Sequence, residues 1–199
     1  VDEASIERVC EAAAAVCPHD VLVMARAKGE DAERRRVGHA VARACRRRSL
    51  PFSINGDEAL FLETSATWFH APGSVLAAGL RGRLEGRSGR KVYLSRVAHD
   101  HEDVLEAVRT GLDAAVVSPI FEVPEKGPPR GIGALEDARR LAPALGLVAL
   151  GGIDPPRAAS CLLAGADAVA VMRAAFVASR PEDVLRELHF ATRARSSKC

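Results

Sequence analysis

Short apolar runs alternate with amphipathic stretches along almost the whole of this chain. Ile6, Val9, Ala12, Ala13 and Val16 fall on one helical stripe with Pro18 just beyond it, which predicts a helix over residues 4–16. Apolar runs at 21–25, 51–54, 67–70, 92–95, 114–117, 147–150 and 167–171 then read as short strands buried on both faces. Helical stretches are predicted between them at 31–47, 59–63, 102–109, 135–145 and, opened by Pro155-Pro156, 157–164, with another that follows Pro72-Gly73 and ends at Leu84, and a closing one at 183–192. Gly86 to Gly89 reads as a loop, and Met172 to Phe176 as a turn leaving the last strand. Pro119 to Gly133 is a long loop carrying Glu122, Glu125, Lys126 and Arg130, and loops of that length inside a compact domain usually serve a function.

An internal echo converts this alternation into an architecture. Gly111-x-Asp113-Ala114-x-x-Val117 recurs as Gly165-x-Asp167-Ala168-x-x-Val171, each time a helix-ending glycine, an aspartate and a strand. The copies lie two β/α units apart, so one unit takes roughly 27 residues and eight would take about 216, close to the smallest barrels. Seven units and a leading helix fit the chain. The expectation is a single α/β domain over residues 1–190, a (β/α)8 TIM barrel whose first strand precedes Val1 or is absent, followed by a basic tail at 191–199. The runner-up is a doubly wound open sheet.

Composition narrows the picture only a little. With 48% hydrophobic and 27% charged residues the chain belongs with ordinary globular proteins rather than disordered ones. A net charge of +2 gives no argument for nucleic acid, and the arginine runs at 34–36 and 46–48 fall on predicted helix surfaces, as a solvated face would. Cys10, Cys17, Cys45, Cys161 and Cys199 have no C-x-x-C spacing, which suits reduced thiols in a cytoplasm, the first four packing as small apolar residues. No apolar run approaches a membrane span and no signal peptide opens the sequence, so neither a membrane nor a nucleic acid is an expected partner.

The chemistry concentrates near the end. The strand at 147–150 stops abruptly at Gly151-Gly152, and the next strand turns out at Met172-Arg173. Two such turns at the ends of neighbouring parallel strands gather main-chain N–H groups at one point, a natural seat for phosphate. The competing explanation is that Gly151 and Gly152 only let chain segments approach closely. His70 and His99 stand at strand ends as acid or base candidates, with hydrogen-bonded structural roles as the alternative.

Taken in order, Val23 to Lys28, Ile54-Asn55, Phe69-His70, His99, Pro119 to Lys126, Ala149 to Ile153 and Ala164 to Met172 resemble the thiamine phosphate synthase and TenI family. The resemblance runs from about residue 4 to 178 and its motifs are most specific after Gly111. It implies a (β/α)8 barrel of thiamine biosynthesis, a transferase joining a hydroxymethylpyrimidine pyrophosphate to a thiazole phosphate with magnesium. It places the thiazole phosphate at Gly151, Gly152, Met172 and Arg173, and pyrophosphate contacts at Arg26 and Lys28, with Lys126 approaching from the long loop and Asn55 as a ligand contact. Beside that resemblance, Lys126, His99 and Lys28 are the catalytic candidates, His99 from its place at a strand end and the two lysines as proton-transfer groups if burial lowers their pKa.

The departures bear on activity. Gly56 and Val75 stand where the family pattern has its two magnesium-binding aspartates, and neither side chain offers the oxygen that this hard ion needs. Asp57 is displaced by one residue, Met24 replaces a glutamine, Arg173 replaces a serine, and Pro119 stands where the TenI tautomerase has a histidine. The expectation is a protein that binds a thiazole phosphate or a similar phosphorylated small molecule, with no metal, no cofactor and a degenerate magnesium-pyrophosphate half. The alternatives are an active synthase that uses magnesium, and a non-catalytic regulatory or interaction protein. Homo-oligomerisation is an expectation by fold analogy alone.

Overall fold

The computed structural model describes residues 2–196 apart from Lys28, Ser74, Leu76 and Glu125. It gathers into two compact units whose boundary follows Leu94. In the first, α1 (Glu3–Val16) leads into β1 (Val23–Ala25), α2 (Asp31–Arg46), β2 (Phe52–Asn55), α3 (Glu58–Thr64), β3 (Trp68–Ala71) and α4 (Leu80–Ser88). The second carries most of β4 (Tyr93–Ala98), then α5 (His101–Arg109), β5 (Ala114–Val117), α6 (Gly133–Leu141), β6 (Gly146–Leu150), α7 (Pro155–Leu163), β7 (Ala168–Ala170), the short α8 (Arg173–Phe176) and α9 (Pro181–Ser196). Among the described residues no helix is long and apolar enough to cross a membrane.

Every pairing within a unit is parallel and follows chain order. In the first unit β2 lies between β1 and β3, and in the second β4, β5, β6 and β7 run side by side. A doubly wound sheet reverses its strand order at a switch point. Neither unit contains such a reversal, and the fold is of the TIM-barrel type, with seven strands among the described residues. The strands read as apolar runs because helices cover the sheet: all of β5 is buried, and Phe61 of α3 meets Phe69 of β3 edge to face at 5.7 Å.

Aspartates start the helices. Asp2, Asp57, Asp100 and Asp154 each accept a hydrogen bond from a main-chain N–H of the first turn, at Ser5, Leu60, Asp103 and Arg157. Pro155 and Pro156 then occupy the first positions of α7, where no N–H is needed.

Three local expectations need correction. The loop at 86–89 is helical to Ser88, and α4 stops at Gly89 with φ 67°. Gly82 and Gly86 lie where a side chain would meet nothing within 4 Å, so they weaken that helix without ending it. The helix expected over 135–145 ends at Leu141, because Pro143 cannot continue it and disfavours helical backbone in the residue before it. The turn at 172–176 contains one turn of helix, α8.

The arginine runs lie on α2 and in the turn just past its end, in ion pairs: Arg35 with Glu63, Arg36 with Glu33, and Arg47 and Arg48 with Glu7. Cys10, Cys17, Cys45 and Cys161 are buried free thiols, with the sulfurs of Cys10 and Cys45 3.9 Å apart between α1 and α2, while Cys199 lies outside the described residues.

Candidate functional site

The candidate residues fall at the C-terminal ends of strands in both units, and each unit holds its own group. In the first, Arg26 follows β1 and is exposed, and Asn55 is the half-buried last residue of β2. Lys28 lies outside the described residues. Gly56 turns the chain out of β2 at φ 76°, and its N–H donates to the carbonyl of His70 at 3.1 Å. His70 in β3 is only 5% exposed. Burial, then the positive charge of Arg26, lowers its pKa to about 4, so its ring is neutral at neutral pH.

Asp57 was the one carboxylate near enough in sequence to replace the missing metal ligands. The fold gives it other work: Oδ1 accepts from the N–H of Leu60 at 2.8 Å, capping α3, and Oδ2 faces the guanidinium of Arg35 at 3.3 Å. Gly56 and Val75 contribute no oxygen from a side chain. Among the described residues no group of three or more histidine, cysteine, aspartate or glutamate side chains is arranged to hold a metal ion.

The second unit is built around β5, β6 and the loop after β5. That loop lies against the end of β6, where Ile120 donates to the carbonyl of Leu150 at 2.9 Å and Phe121 to that of Gly151 at 3.0 Å. It also closes on itself through Arg130 N–H to Pro119 carbonyl, 2.8 Å, and Gly131 N–H to Ile120 carbonyl, 3.0 Å. Gly151 and Gly152 have φ of 105° and 63°, and a Cβ on them would lie 2.8 Å from Pro119 Cα and 2.7 Å from the Glu122 carbonyl oxygen. Close approach alone thus requires both glycines, whatever else the turn does.

The same turn still presents free donors. Among the described residues no carbonyl takes the N–H groups of Gly152 and Ile153, nor those of Arg173 and Ala174 at the start of α8. Met172 is 59% exposed and Arg173 is exposed as well, so neither fills the turn as a buried plug. Arg157 braces it from α7, donating to the Gly152 carbonyl at 2.7 Å with its guanidinium over the Phe121 ring at 4.9 Å.

His99 follows β4 and is anchored twice. Its main-chain N–H donates to the Asp103 carboxylate at 2.6 Å, and Nδ1 lies 2.9 Å from the carbonyl of Ser118. A carbonyl only accepts, so Nδ1 carries a proton and Nε2 is the remaining basic atom of the ring. His99, Ser118, Pro119, Lys126, Gly127, Pro128 and Arg130 line a recess of about 430 Å³. His99 and Lys126, both singled out from the sequence, thus meet in one place.

Ser118 and Arg130 are additions. The Ser118 hydroxyl is fully buried with no partner in the structure, and Arg130 carried no role beyond its place in a long loop. The only sequence signal for either was proximity to Lys126.

A family model described as thiamine monophosphate synthase matches residues 1–175. The chain is 33% identical to the thiamine-phosphate synthase of Listeria monocytogenes over 161 residues, covering 78% of this chain and 73% of that one. It is 36% identical to the thiamine-phosphate synthase of Halorhodospira halophila over 186 residues, covering 89% and 86%. Among solved structures, thiamine phosphate pyrophosphorylase from Pyrococcus furiosus superposes with a TM-score of 0.76 at 17% identity, covering 98% of this chain and 90% of that one. A 3-hexulose-6-phosphate synthase superposes at 0.67 and 17% identity, covering 94% of each, which at that identity speaks to the fold alone. On the extent of the family match and the identity to these synthases, the chain belongs to the thiamine monophosphate synthase family.

Proposed function

We propose that this protein binds a thiazole phosphate, or a phosphorylated small molecule of similar shape, in thiamine metabolism, and that it does so without magnesium. The observation that carries the metal-free part is the commitment of Asp57 to the α3 cap and to Arg35, with Gly56 and Val75 at the other two positions. A carboxylate already holding a main-chain amide and facing a guanidinium has fewer lone pairs to offer a cation, and its orientation is set by the helix cap.

The phosphate-binding part draws on the unpartnered amides of Gly152, Ile153, Arg173 and Ala174, with the Arg173 guanidinium adding a charge-assisted contact. In this reading Nε2 of His99 accepts or returns a proton, and Lys126 supplies positive charge to the same recess.

The second reading is an active synthase joining hydroxymethylpyrimidine pyrophosphate to thiazole phosphate. Identity of 36% over most of the Halorhodospira enzyme favours it. Calorimetric titration of thiazole phosphate into the protein, with and without chelator, separates the readings when run beside a turnover assay with both substrates. Heat that survives the chelator, with no coupling, supports the proposal. Coupling that disappears in chelator establishes the synthase, and a silent titration leaves a non-catalytic protein. Arg173→Glu, at an exposed position, should weaken the heat at least tenfold by placing a carboxylate beside the phosphate.

A further inference from the structure

The first two helices hold a pair of reactive groups that the candidate site does not use. Glu3, Glu7 and Cys10 are spaced by four and three residues, so they run along one side of α1. Opposite them Arg43 pairs with Glu3, and Arg47 and Arg48 with Glu7, which sets the register of α1 on α2. That register brings the sulfurs of Cys10 and Cys45 to 3.9 Å from positions 35 residues apart in the chain. Both thiols are enclosed, at 1% and 0% exposure, on the buried faces that also carry Ile6, Val9 and Ala13 of α1 and Val41 and Ala44 of α2.

A single cysteine in an apolar seam behaves as an inert small hydrophobe. Two in contact differ, because each is the other's reaction partner. Hydrogen bonding to Cys45 lowers the Cys10 pKa against the opposing effect of burial, and the Arg48 guanidinium adds to the lowering. Hydrogen bonding to Cys10 and then burial raise the Cys45 pKa, so Cys10 is the sulfur that more readily becomes a thiolate. A disulfide holds its sulfurs about 2.05 Å apart, so the closure required is about 1.9 Å, less than the diameter of a sulfur atom.

We propose that Cys10 and Cys45 are a redox-responsive pair: a hydroperoxide oxidant converts the two thiols into a disulfide that locks α1 onto α2, and a thiol reductant releases it. With hydrogen peroxide the Cys10 thiolate attacks the O–O bond, giving a sulfenic acid and hydroxide. The Cys45 thiol then attacks that sulfur, and its proton leaves with the sulfenic oxygen as water. Two electrons pass from the sulfurs to the peroxide, which ends as two water molecules once the hydroxide takes up the proton that Cys10 released. The loop so closed contains β1 and Arg26, so the lock ties together the helices that precede and follow the strand leading to that residue. The inference does not rest on the functional reading above.

The test is treatment of the folded protein with hydrogen peroxide, then catalase, alkylation in denaturant and peptide mapping by mass. Wild type should yield a cross-linked peptide joining Cys10 and Cys45 of one chain, lighter by two hydrogen atoms than the free peptides, and dithiothreitol should remove it. The thermal midpoint of the oxidised protein should stand roughly 5–15 °C above that of the same sample after dithiothreitol, which leaves any oxidised methionine unchanged. Cys10→Ala and Cys45→Ala should show neither cross-link nor shift, whereas Cys17→Ala, which removes a buried thiol at the end of α1, should behave as wild type. Should either of the first two variants fail to fold, mapping and melting of wild type still decide. Oxidation that ends at a sulfinic or sulfonic acid, a disulfide between other cysteines, or a Cys10 to Cys45 cross-link that leaves the midpoint unmoved or lower overturns the inference.

Discussion

At the scale of single residues, two positions carry more constraint than their neighbours. Gly151 is held at φ 105° with Pro119 packed where its side chain would be, so Gly151→Ala suffers both backbone strain and a main-chain collision. The expected loss is about 2–4 kcal/mol, measured by urea denaturation. A loss below about 1 kcal/mol would mean that the loop after β5 yields easily. His70 makes a prediction in pH. Its folded pKa, about 4, lies below the usual histidine value, so from about pH 6.5 down to 4 the unfolded chain takes up a proton that the folded chain refuses. Stability therefore falls as pH falls through that window, by about 2 kcal/mol between pH 7.5 and 5. Urea melts at the two pH values should show the drop in wild type and a smaller one in His70→Gln.

At the scale of elements, Asp57 connects structure to function. As the cap of α3, its replacement by alanine should cost about 1 kcal/mol, with little further loss from the half-exposed pair with Arg35, which keeps Glu63. Thiazole phosphate affinity in Asp57→Ala should stay within twofold of wild type. A loss of ligand binding or of turnover in that variant would show that the carboxylate does serve the site. The capping role was open to inspection in the sequence, since an aspartate before a helical stretch is a common start signal, yet it read there as a displaced metal ligand. Strands and helices were otherwise legible because buried parallel strands leave unbroken apolar runs. The ends of α4 and α6 were less so, because Gly86 is tolerated on an open helix face and the stop at Pro143 lies inside the apolar spacing that predicted a longer helix. Burial of Cys10, Cys17, Cys45 and Cys161 adds a further check: an aromatic disulfide reagent should leave these four unmodified in the native protein and label them after denaturation. Native labelling of Cys10 or Cys45 would contradict the packing of α1 on α2.

At the scale of the whole molecule, the β/α repeat was readable from Gly111 and Gly165 because each repeat solves the same packing problem, whereas the candidate site depends on contacts between segments far apart in sequence. Nothing in the spacing of Phe121, Gly152 and Arg157 announces that they meet. The main-chain donors at that turn lead to the last prediction. If the protein binds its phosphorylated ligand through amides and guanidinium groups alone, all of the binding free energy is available without a divalent ion. A ligand at about 100 times its dissociation constant stabilises the folded state by about 2.7 kcal/mol, which for a chain of 199 residues corresponds to a rise in thermal midpoint of roughly 5–10 °C. Thiazole phosphate should produce that rise equally in chelator and in millimolar magnesium. A rise seen only with magnesium would mean that oxygen ligands are recruited on binding, and the metal-free reading would have to be abandoned for that of a working synthase.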